Sequence, residues 1–479
     1  MYKNTEFKIR NRKFYTNYFI FSFIFILVFF VSSLILDVDI NFFWVMLVFS
    51  GSLLVALSNF KKNITLIMFL VCYFIFLLGS YFVYEYFNYS NGVVLFDKYT
   101  QKHIYISLLV SLIGIVFGYY LLASNKSNKV IESENNSLYE KSSLLLFYLS
   151  YVPNIIIEIL RVIKTNEVGY ADLYLNDIVK VPYIIGLFAF GCRFYFFCYL
   201  SSLPEKKSSR KPIILFIIYS TLTLFTGNRS IFVVNLTLIF IYYVFRSSDF
   251  SEEKFWINKK KLLIIIFLAP ILLILLDIIG DIRFNNSIFE QKTSSSFYDI
   301  FVKQGVSSSV IGFGKVYENI LPNRIYSFGS VIEKLKYNPI SKILFGYTKY
   351  SGNSVERALN GNSFSHIISY LVLPYGYVRG RGLGTSYIAE AYYDYGYIGI
   401  FLYSLLYGFI LKQCSKYINK SYKKRVAMLL LISSLLMIPR SSADSFLTEF
   451  VKTEIIFGVI LINIVRRSYF NNSTTNRKI

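Results

Sequence analysis

The sequence predicts an all-α polytopic membrane protein with about twelve transmembrane helices and one long external loop containing short helices. Three observations predict it. The 479 residues are 55% hydrophobic and 16% charged, too apolar for a soluble chain of that length. Apolar runs of roughly 20 residues recur, and at about 1.5 Å per residue such a run crosses a hydrocarbon core of roughly 30 Å. The 50 Lys and Arg, set against 28 Asp and Glu, cluster between those runs, as cytoplasmic connections do under the positive-inside rule. That placement points to a lipid bilayer as the partner and away from nucleic acid.

Taken in order, Tyr18 to Leu36 is the first span, preceded by Lys3, Lys8, Arg10, Arg12 and Lys13. Its apolar core is longer than a signal peptide's and no small-residue cleavage site follows. Further spans are expected at Ile40 to Ser58, Ile64 to Tyr84, Ile104 to Ser124, Ser143 to Ile163, Pro182 to Leu203, Ile213 to Phe225, Ile231 to Phe245, Leu262 to Gly280, Gly396 to Leu411, Val426 to Pro439 and Phe446 to Val465. Alternate threading puts Lys61/Lys62, Lys126/Lys129, Lys206 to Lys211, Lys259 to Lys261, Lys412 to Arg425 and Arg466/Arg467 on one side, so both termini are expected in the cytoplasm. The organisation that follows is nine helices over 1–280, a large external loop over 281–395 expected to hold active-site elements, three helices over 396–465 and a cytoplasmic tail over 466–479. A loop of that length exceeds what a passive connector needs. Its apolar patches, Ser307 to Phe313 and His366 to Leu373, suggest short helices over the membrane. No internal repeat is visible, which disfavours a transporter built from repeated halves.

The side chains that could carry chemistry gather toward the external ends. Ionisable groups at mid-helix cost roughly 2.5 to 3.5 kcal/mol on insertion scales, so their depth is informative. Glu158 and Arg161 lie near the external end of the fifth span, spaced to pair at i,i+3, and Asp277 lies near that of the ninth. Arg229, Arg440, Asp444 and Glu449 fall at external turns, and Arg193 is the one deep basic residue. Each alone reads as an ion pair or a snorkelling side chain; together they favour an external polar cavity. Lys outnumbers Arg in the chain, yet the tight turns use Arg229 and Arg440, and a guanidinium binds phosphate as a two-pronged fork where an ammonium is a point charge. Arg229 sits in Thr226-Gly227-Asn228-Arg229-Ser230, between two short apolar runs, so its turn is expected to dip below the surface into a cavity.

The densest segment runs from Gly380 to Gly396. Gly380, Gly382 and Gly384 allow close backbone approach, Ser386 is placed to cap a helix, and Glu390 and Asp394 share a face at i,i+4. Arg379 and Arg381 stand at its entrance. The glycine spacing lacks the βαβ unit and the Lys of nucleotide-binding loops, so those readings fail. His366, in Ser363-Phe364-Ser365-His366-Ile367-Ile368-Ser369-Tyr370, is a surface histidine, a base or a phosphate ligand. Arg357, in mid-loop, is expected to tolerate Lys. The four cysteines, Cys72, Cys192, Cys198 and Cys414, form neither an external disulfide framework nor a zinc spacing, and with two histidines in the chain a transition-metal site is not expected.

The glycine turn at Arg229, the loop segment around His366 and Gly382-Leu383-Gly384-Thr385-Ser386-Tyr387-Ile388-Ala389-Glu390 before a span together resemble the Wzy-type O-antigen and capsule repeat-unit polymerases. The architecture agrees over nearly the whole chain and the sequence-level likeness concentrates in these three segments. What the resemblance implies is a membrane glycosyltransferase that joins oligosaccharide repeat units carried on undecaprenyl pyrophosphate at the outer face of the bacterial plasma membrane. By analogy with related membrane enzymes it also implies a GT-C-like architecture and inversion at the anomeric carbon; no cofactor is expected, and of metals the residues leave open only magnesium held by carboxylates. A flippase and a chain-length regulator would be its partners. The departing lipid pyrophosphate develops charge that fixed cations stabilise. Arg229, Arg379, Arg381 and Arg440 are the first candidates, with Arg193 and Arg283 as second choices. Glu390 first and His366 second are the candidates for a base on the acceptor hydroxyl. An O-antigen ligase, which differs mainly in its acceptor, and a lipid-linked oligosaccharide flippase are the alternatives.

Overall fold

The computed structural model describes residues 31, 33, 36, 38–122, 136–168, 179–247, 274, 297–337, 341, 344–347, 350 and 352–475, and every regular element among them is helical. Seven of the described helices are long and apolar enough to cross a membrane: Ile40–Leu57, Phe60–Phe87, Lys98–Tyr120, Asn136–Glu167, Tyr183–Ser201, Arg229–Ser247 and Tyr387–Cys414. Each coincides with an expected span. The first and ninth expected spans fall outside the described residues apart from Val31, Ser33, Leu36 and Ile274. The remaining three are helical but differ in kind. The run at Ile213 lies in a helix, Lys206–Phe225, whose first turns are basic. The run at Val426 lies in Tyr422–Leu435, only 14 residues, or roughly 21 Å at 1.5 Å per residue, short of a hydrocarbon core. The last is Thr453–Thr475.

The helices are named here as α1 (Ile40–Leu57), α2 (Phe60–Tyr73), α3 (Gly79–Phe87), α4 (Lys98–Tyr120), α5 (Asn136–Val168), α6 (Tyr183–Phe190), α7 (Cys192–Ser201), α8 (Lys206–Phe225) and α9 (Arg229–Ser247). In the long loop they continue as α10 (Phe297–Gln304), α11 (Val306–Val316), α12 (Gly329–Lys336), α13 (Val355–Asn360), α14 (Phe364–Val372) and α15 (Pro374–Val378). The chain closes with α16 (Tyr387–Cys414), α17 (Tyr422–Leu435), α18 (Ser445–Thr448) and α19 (Thr453–Thr475). Both apolar patches expected to be helical in the loop are so, as α11 and α14.

Two large cores organise the described part of the bundle. One gathers Phe42, Tyr73, Tyr105, Tyr119, Tyr387 and Tyr407 from α1, α2, α4 and α16. The other gathers Phe147, Tyr199, Phe216, Tyr242 and Leu429 from α5, α7, α8, α9 and α17. Apolar side chains facing outward, such as Ile184 at 72%, Ile398 at 72% and Val152 at 59% exposed, suit lipid and not water. Basic helix ends meet at one end of the bundle, where Lys61 Nζ donates to Ser247 O at 3.0 Å and Arg425 Nε to Ser201 O at 2.7 Å.

Among the described helices the most extensive contact is that of α4 with α16. Gly114-Ile115-Val116-Phe117-Gly118 meets Ser404 and Gly408, the small-residue spacing that lets membrane helices approach backbone to backbone. A Cβ on Gly118 would stand 2.0 Å from Leu405 O and one on Gly408 2.1 Å from Ile115 O, so neither site has room for a side chain. Gly118→Val is therefore expected to lower stability by about 1–3 kcal/mol through overpacking. A fall in the thermal midpoint of the detergent-purified protein is the check; an unchanged midpoint would contradict this packing.

Within α16 the backbone leaves the helix at Gly396 (φ 64°, ψ −155°), a conformation open essentially to Gly alone. The break separates a short helix carrying Glu390 and Asp394 from the apolar stretch that follows, and it falls where the sequence places the start of the tenth span.

Candidate functional site

The turn Thr226-Gly227-Asn228-Arg229-Ser230 does three things in succession. Gly227 takes a left-handed conformation (φ 82°), and Gly227 N–H donates to Leu224 O at 2.9 Å while Asn228 N–H donates to Thr223 O at 3.0 Å. That paired pattern is the Schellman cap that ends α8. The chain then restarts as α9 with Arg229 as its first residue, beside amides that carry the positive end of the helix dipole.

Arg440 arrives from another part of the chain. Ile438–Arg440 forms a 3-10 turn containing Pro439, closed by Arg440 N–H donating to Met437 O at 2.9 Å. Its guanidinium donates to Gln304 Oε1 at 2.7 Å and lies over the Phe76 ring at 5.6 Å. Phe76 belongs to Phe74–Leu78, where the α2–α3 helix widens to a π-helical turn, a local rearrangement often found at functional sites.

These pieces line one cavity of about 370 Å³, with Arg229, Arg440, Asn228, Ser230, Thr237 and Gln304 as its polar groups and Ile75, Phe76, Val233, Val234, Leu436 and Met437 among its apolar ones. Among the described residues the lining holds two guanidinium groups and no carboxylate. Burial first, and the Arg229 guanidinium second, pull Arg440 below the usual arginine range. Like charges held together in a half-enclosed site raise each other's cost, and an anion bound between them relieves it.

The other expected residues lie elsewhere. Arg193 is half-buried, with Nε donating to Asn235 Oδ1 at 3.1 Å and its guanidinium over Phe197 at 5.2 Å. Arg379 and Arg381 are exposed on the segment around Gly380 and do not line this cavity. Arg283 and Asp277 lie outside the described residues. The Glu158–Arg161 pair forms as spaced, at 2.8 Å.

Glu390 is 1% exposed. Thr385 Oγ1 donates to its Oε1 at 2.7 Å and Ala443 N–H to its Oε2 at 2.8 Å, so both oxygens are engaged and neither faces the cavity. Ala443 O in turn accepts from the Tyr407 hydroxyl at 2.6 Å. The peptide three residues beyond Arg440 is thus held from both sides by α16. Asp394, one turn on, accepts from Tyr326 N–H at 3.1 Å and Ser327 N–H at 2.8 Å. The shared face of the two carboxylates exists, but it ties loops together. His366 Nδ1 is 2.9 Å from the Tyr377 hydroxyl. Its pKa is pushed down to about 4, by burial first and by Arg357 second, which keeps the ring neutral near pH 7.

One expectation needs correction. Ser386 occupies the cap position of α16 but its hydroxyl makes no cap bond, being buried without a described partner. Arg357, expected to tolerate Lys, is half-buried, 3.6 Å from Glu333, and donates to Gly352 O. Gln304 and Phe76 were invisible as site residues, because a π turn leaves no mark in an apolar run and a lone Gln in a loop carries no signal. Among the described residues no three His, Cys, Asp or Glu side chains gather as a metal site would require.

A family model described as O-antigen polysaccharide polymerase Wzy matches residues 17–473. No curated protein and no solved structure matches the chain.

Proposed function

Because the chain belongs to the O-antigen polysaccharide polymerase Wzy family, we propose that it joins undecaprenyl-pyrophosphate-linked oligosaccharide units at the outer face of the plasma membrane, with Arg229 and Arg440 receiving the pyrophosphate as it leaves. The observation that carries this reading is the cavity itself: among the described residues, two guanidinium groups, no carboxylate, the first turn of α9 and an apolar wall. An anionic headgroup on a lipid tail has that same division of character. A hydroxyl of the acceptor sugar attacks the anomeric carbon of the donor, the bond to pyrophosphate breaks, and the negative charge that develops is met by fixed forks already in place. Inversion at that carbon follows from a single in-line displacement.

Arg379 and Arg381, exposed on the glycine segment, act as outer contacts for a substrate long enough to reach them, and Arg193 and Arg283 remain second candidates. Glu390 fits a positioning role better than that of a proton acceptor, since both of its oxygens are occupied. His366 is neutral and able to take a proton, but with a pKa near 4 it is a weak base. Stabilisation of the leaving group therefore carries most of the acceleration.

The purified protein, given one synthetic lipid-linked repeat unit, is expected to produce a ladder of polymers spaced by one repeat. Transfer to a second, non-identical acceptor without a ladder would identify a ligase. Movement of the intact unit across a vesicle membrane without new bonds would identify a flippase. Either outcome overturns the polymerase reading.

A further inference from the structure

Arg440 is held by a neutral side chain. Gln304, the last residue of α10, lines the cavity together with Arg229 and Arg440, and its amide meets the Arg440 guanidinium at 2.7 Å. An arginine carries only donors, so the amide atom on that contact is the oxygen, which fixes the carboxamide and leaves its NH₂ directed elsewhere. Among the described residues that NH₂ has no hydrogen-bond partner, although the side chain is half-buried and belongs to the cavity wall. Beside the two guanidinium groups the cavity therefore has one further donor, and its direction is set by the fork it supports.

Packing fixes where Gln304 stands. Phe301, one turn earlier on α10, meets the Phe74 ring edge to face at 5.8 Å, and Ile300, 5% exposed, lines the same cavity. Just beyond, Gly305 N–H donates to Phe301 O at 2.9 Å, and the Ser308 hydroxyl of α11 meets that of Ser80 on α3 at 3.1 Å. Phe74 and Phe76 belong to the same π turn, so one turn both steadies α10 and places a ring against the Arg440 guanidinium.

The residue type matters as much as the place. A carboxylate here would hold Arg440 more strongly, because both partners would be charged. It would also cancel the guanidinium and put a negative charge in the wall of a site suited to an anion. A carboxamide of the same length orients the fork, leaves its charge free and brings donors of its own.

We propose that Gln304 is a ligand of the anion that Arg440 receives: its oxygen orients the fork, its NH₂ donates to the same phosphate, and its neutrality leaves the site positive. The assignment deepens the reading that this cavity takes the leaving pyrophosphate, and rests on it.

The test is binding of inorganic pyrophosphate to the purified full chain by titration calorimetry, with the thermal midpoint read on the same samples. Gln304→Met keeps the length and loses both contacts, and should weaken pyrophosphate binding by about tenfold or more, the effect of one contact to a charged group. Gln304→Glu should keep or raise the midpoint, since it pairs with Arg440. It should nevertheless bind pyrophosphate at least about tenfold more weakly than Gln304→Met, because its carboxylate cancels the guanidinium and repels the anion. A residue that only held Arg440 in place would give the opposite order, with Gln304→Glu close to wild type. That order, binding by Gln304→Met within about twofold of wild type, or losses that follow the midpoint through both variants would overturn the assignment. If the wild-type chain binds pyrophosphate and Arg440→Lys loses it while both Gln304 variants keep it, the cavity reading stands and the role of Gln304 falls. If the wild-type chain binds none, both fall. If both variants behave as expected and the protein forms no polymer, the ligand role stands and the polymerase reading falls.

Discussion

Arg440→Lys is expected to reduce polymer formation by about 10²–10³-fold, nearly as much as Arg440→Ala, with the protein still folded and membrane-inserted. The side chain does more than supply charge. Its planar fork spends one arm on Gln304 Oε1 and lies over Phe76, leaving its other donors for a bidentate phosphate contact. A lysine in its place keeps the charge, loses the fork, and cannot serve Gln304 and a phosphate in fixed directions together. Arg229→Lys should be similarly damaging, since it enters the same cavity from the start of α9. The double variant should be less than additively worse, because both act on one leaving group. Arg381→Lys, at an exposed position, should lose less. Arg210→Lys, exposed in the first turns of α8, is the control and should be silent. Rates are read from the polymer ladder with purified protein. Near-normal polymer from Arg229→Lys and Arg440→Lys would show that only positive potential is needed there and would remove the fork from the mechanism.

How much of this could be read from the residues follows from which forces act locally. Span length and the placement of Lys and Arg obey rules set by the bilayer, so the seven helices long enough to cross are visible in the run of letters, whereas the helix break at Gly396 is not. The convergence of Arg229 and Arg440 was legible only as an inference from both being expected at external turns, since the sequence shows no contact between positions so far apart. Glu390 shows the limit. Its place after the glycine segment suggested a base on the acceptor hydroxyl, but whether a carboxylate is available for proton transfer depends on which amides reach it. Ala443 comes from a strap more than fifty residues later, and its N–H closes the site. Arg357 shows the same limit: its partner Glu333 lies on α12 and is neighbourly only in the folded chain. The π turn at Phe74–Leu78 depends on an extra residue accommodated by packing against α10 and α11, and hydropathy is blind to it.

The sharpest division between roles at the site comes from Glu390→Gln, which is expected to retain most polymer formation, whereas Glu390→Ala should lose roughly tenfold or more. A general base has no substitute in an uncharged amide, and losing one typically costs about 10²–10⁴-fold. A positioning residue is judged by hydrogen-bond geometry instead. In Glu390→Gln the side-chain oxygen can still accept from Ala443 N–H, while the amide NH₂ donates to Thr385 Oγ1, whose hydroxyl rotates to accept. In Glu390→Ala the Ala443 N–H is left buried with no acceptor, a cost of about 1–3 kcal/mol. The strap then shifts at the point where it holds Arg440. That displacement should appear as weaker inhibition by inorganic pyrophosphate in Glu390→Ala and unchanged inhibition in Glu390→Gln, a readout that general loss of stability would not produce. Abolished turnover in a Glu390→Gln variant with normal melting and normal pyrophosphate inhibition would overturn the positioning role and make the carboxylate the proton acceptor. The bonds to Thr385 and Ala443 would then have to open in each catalytic cycle.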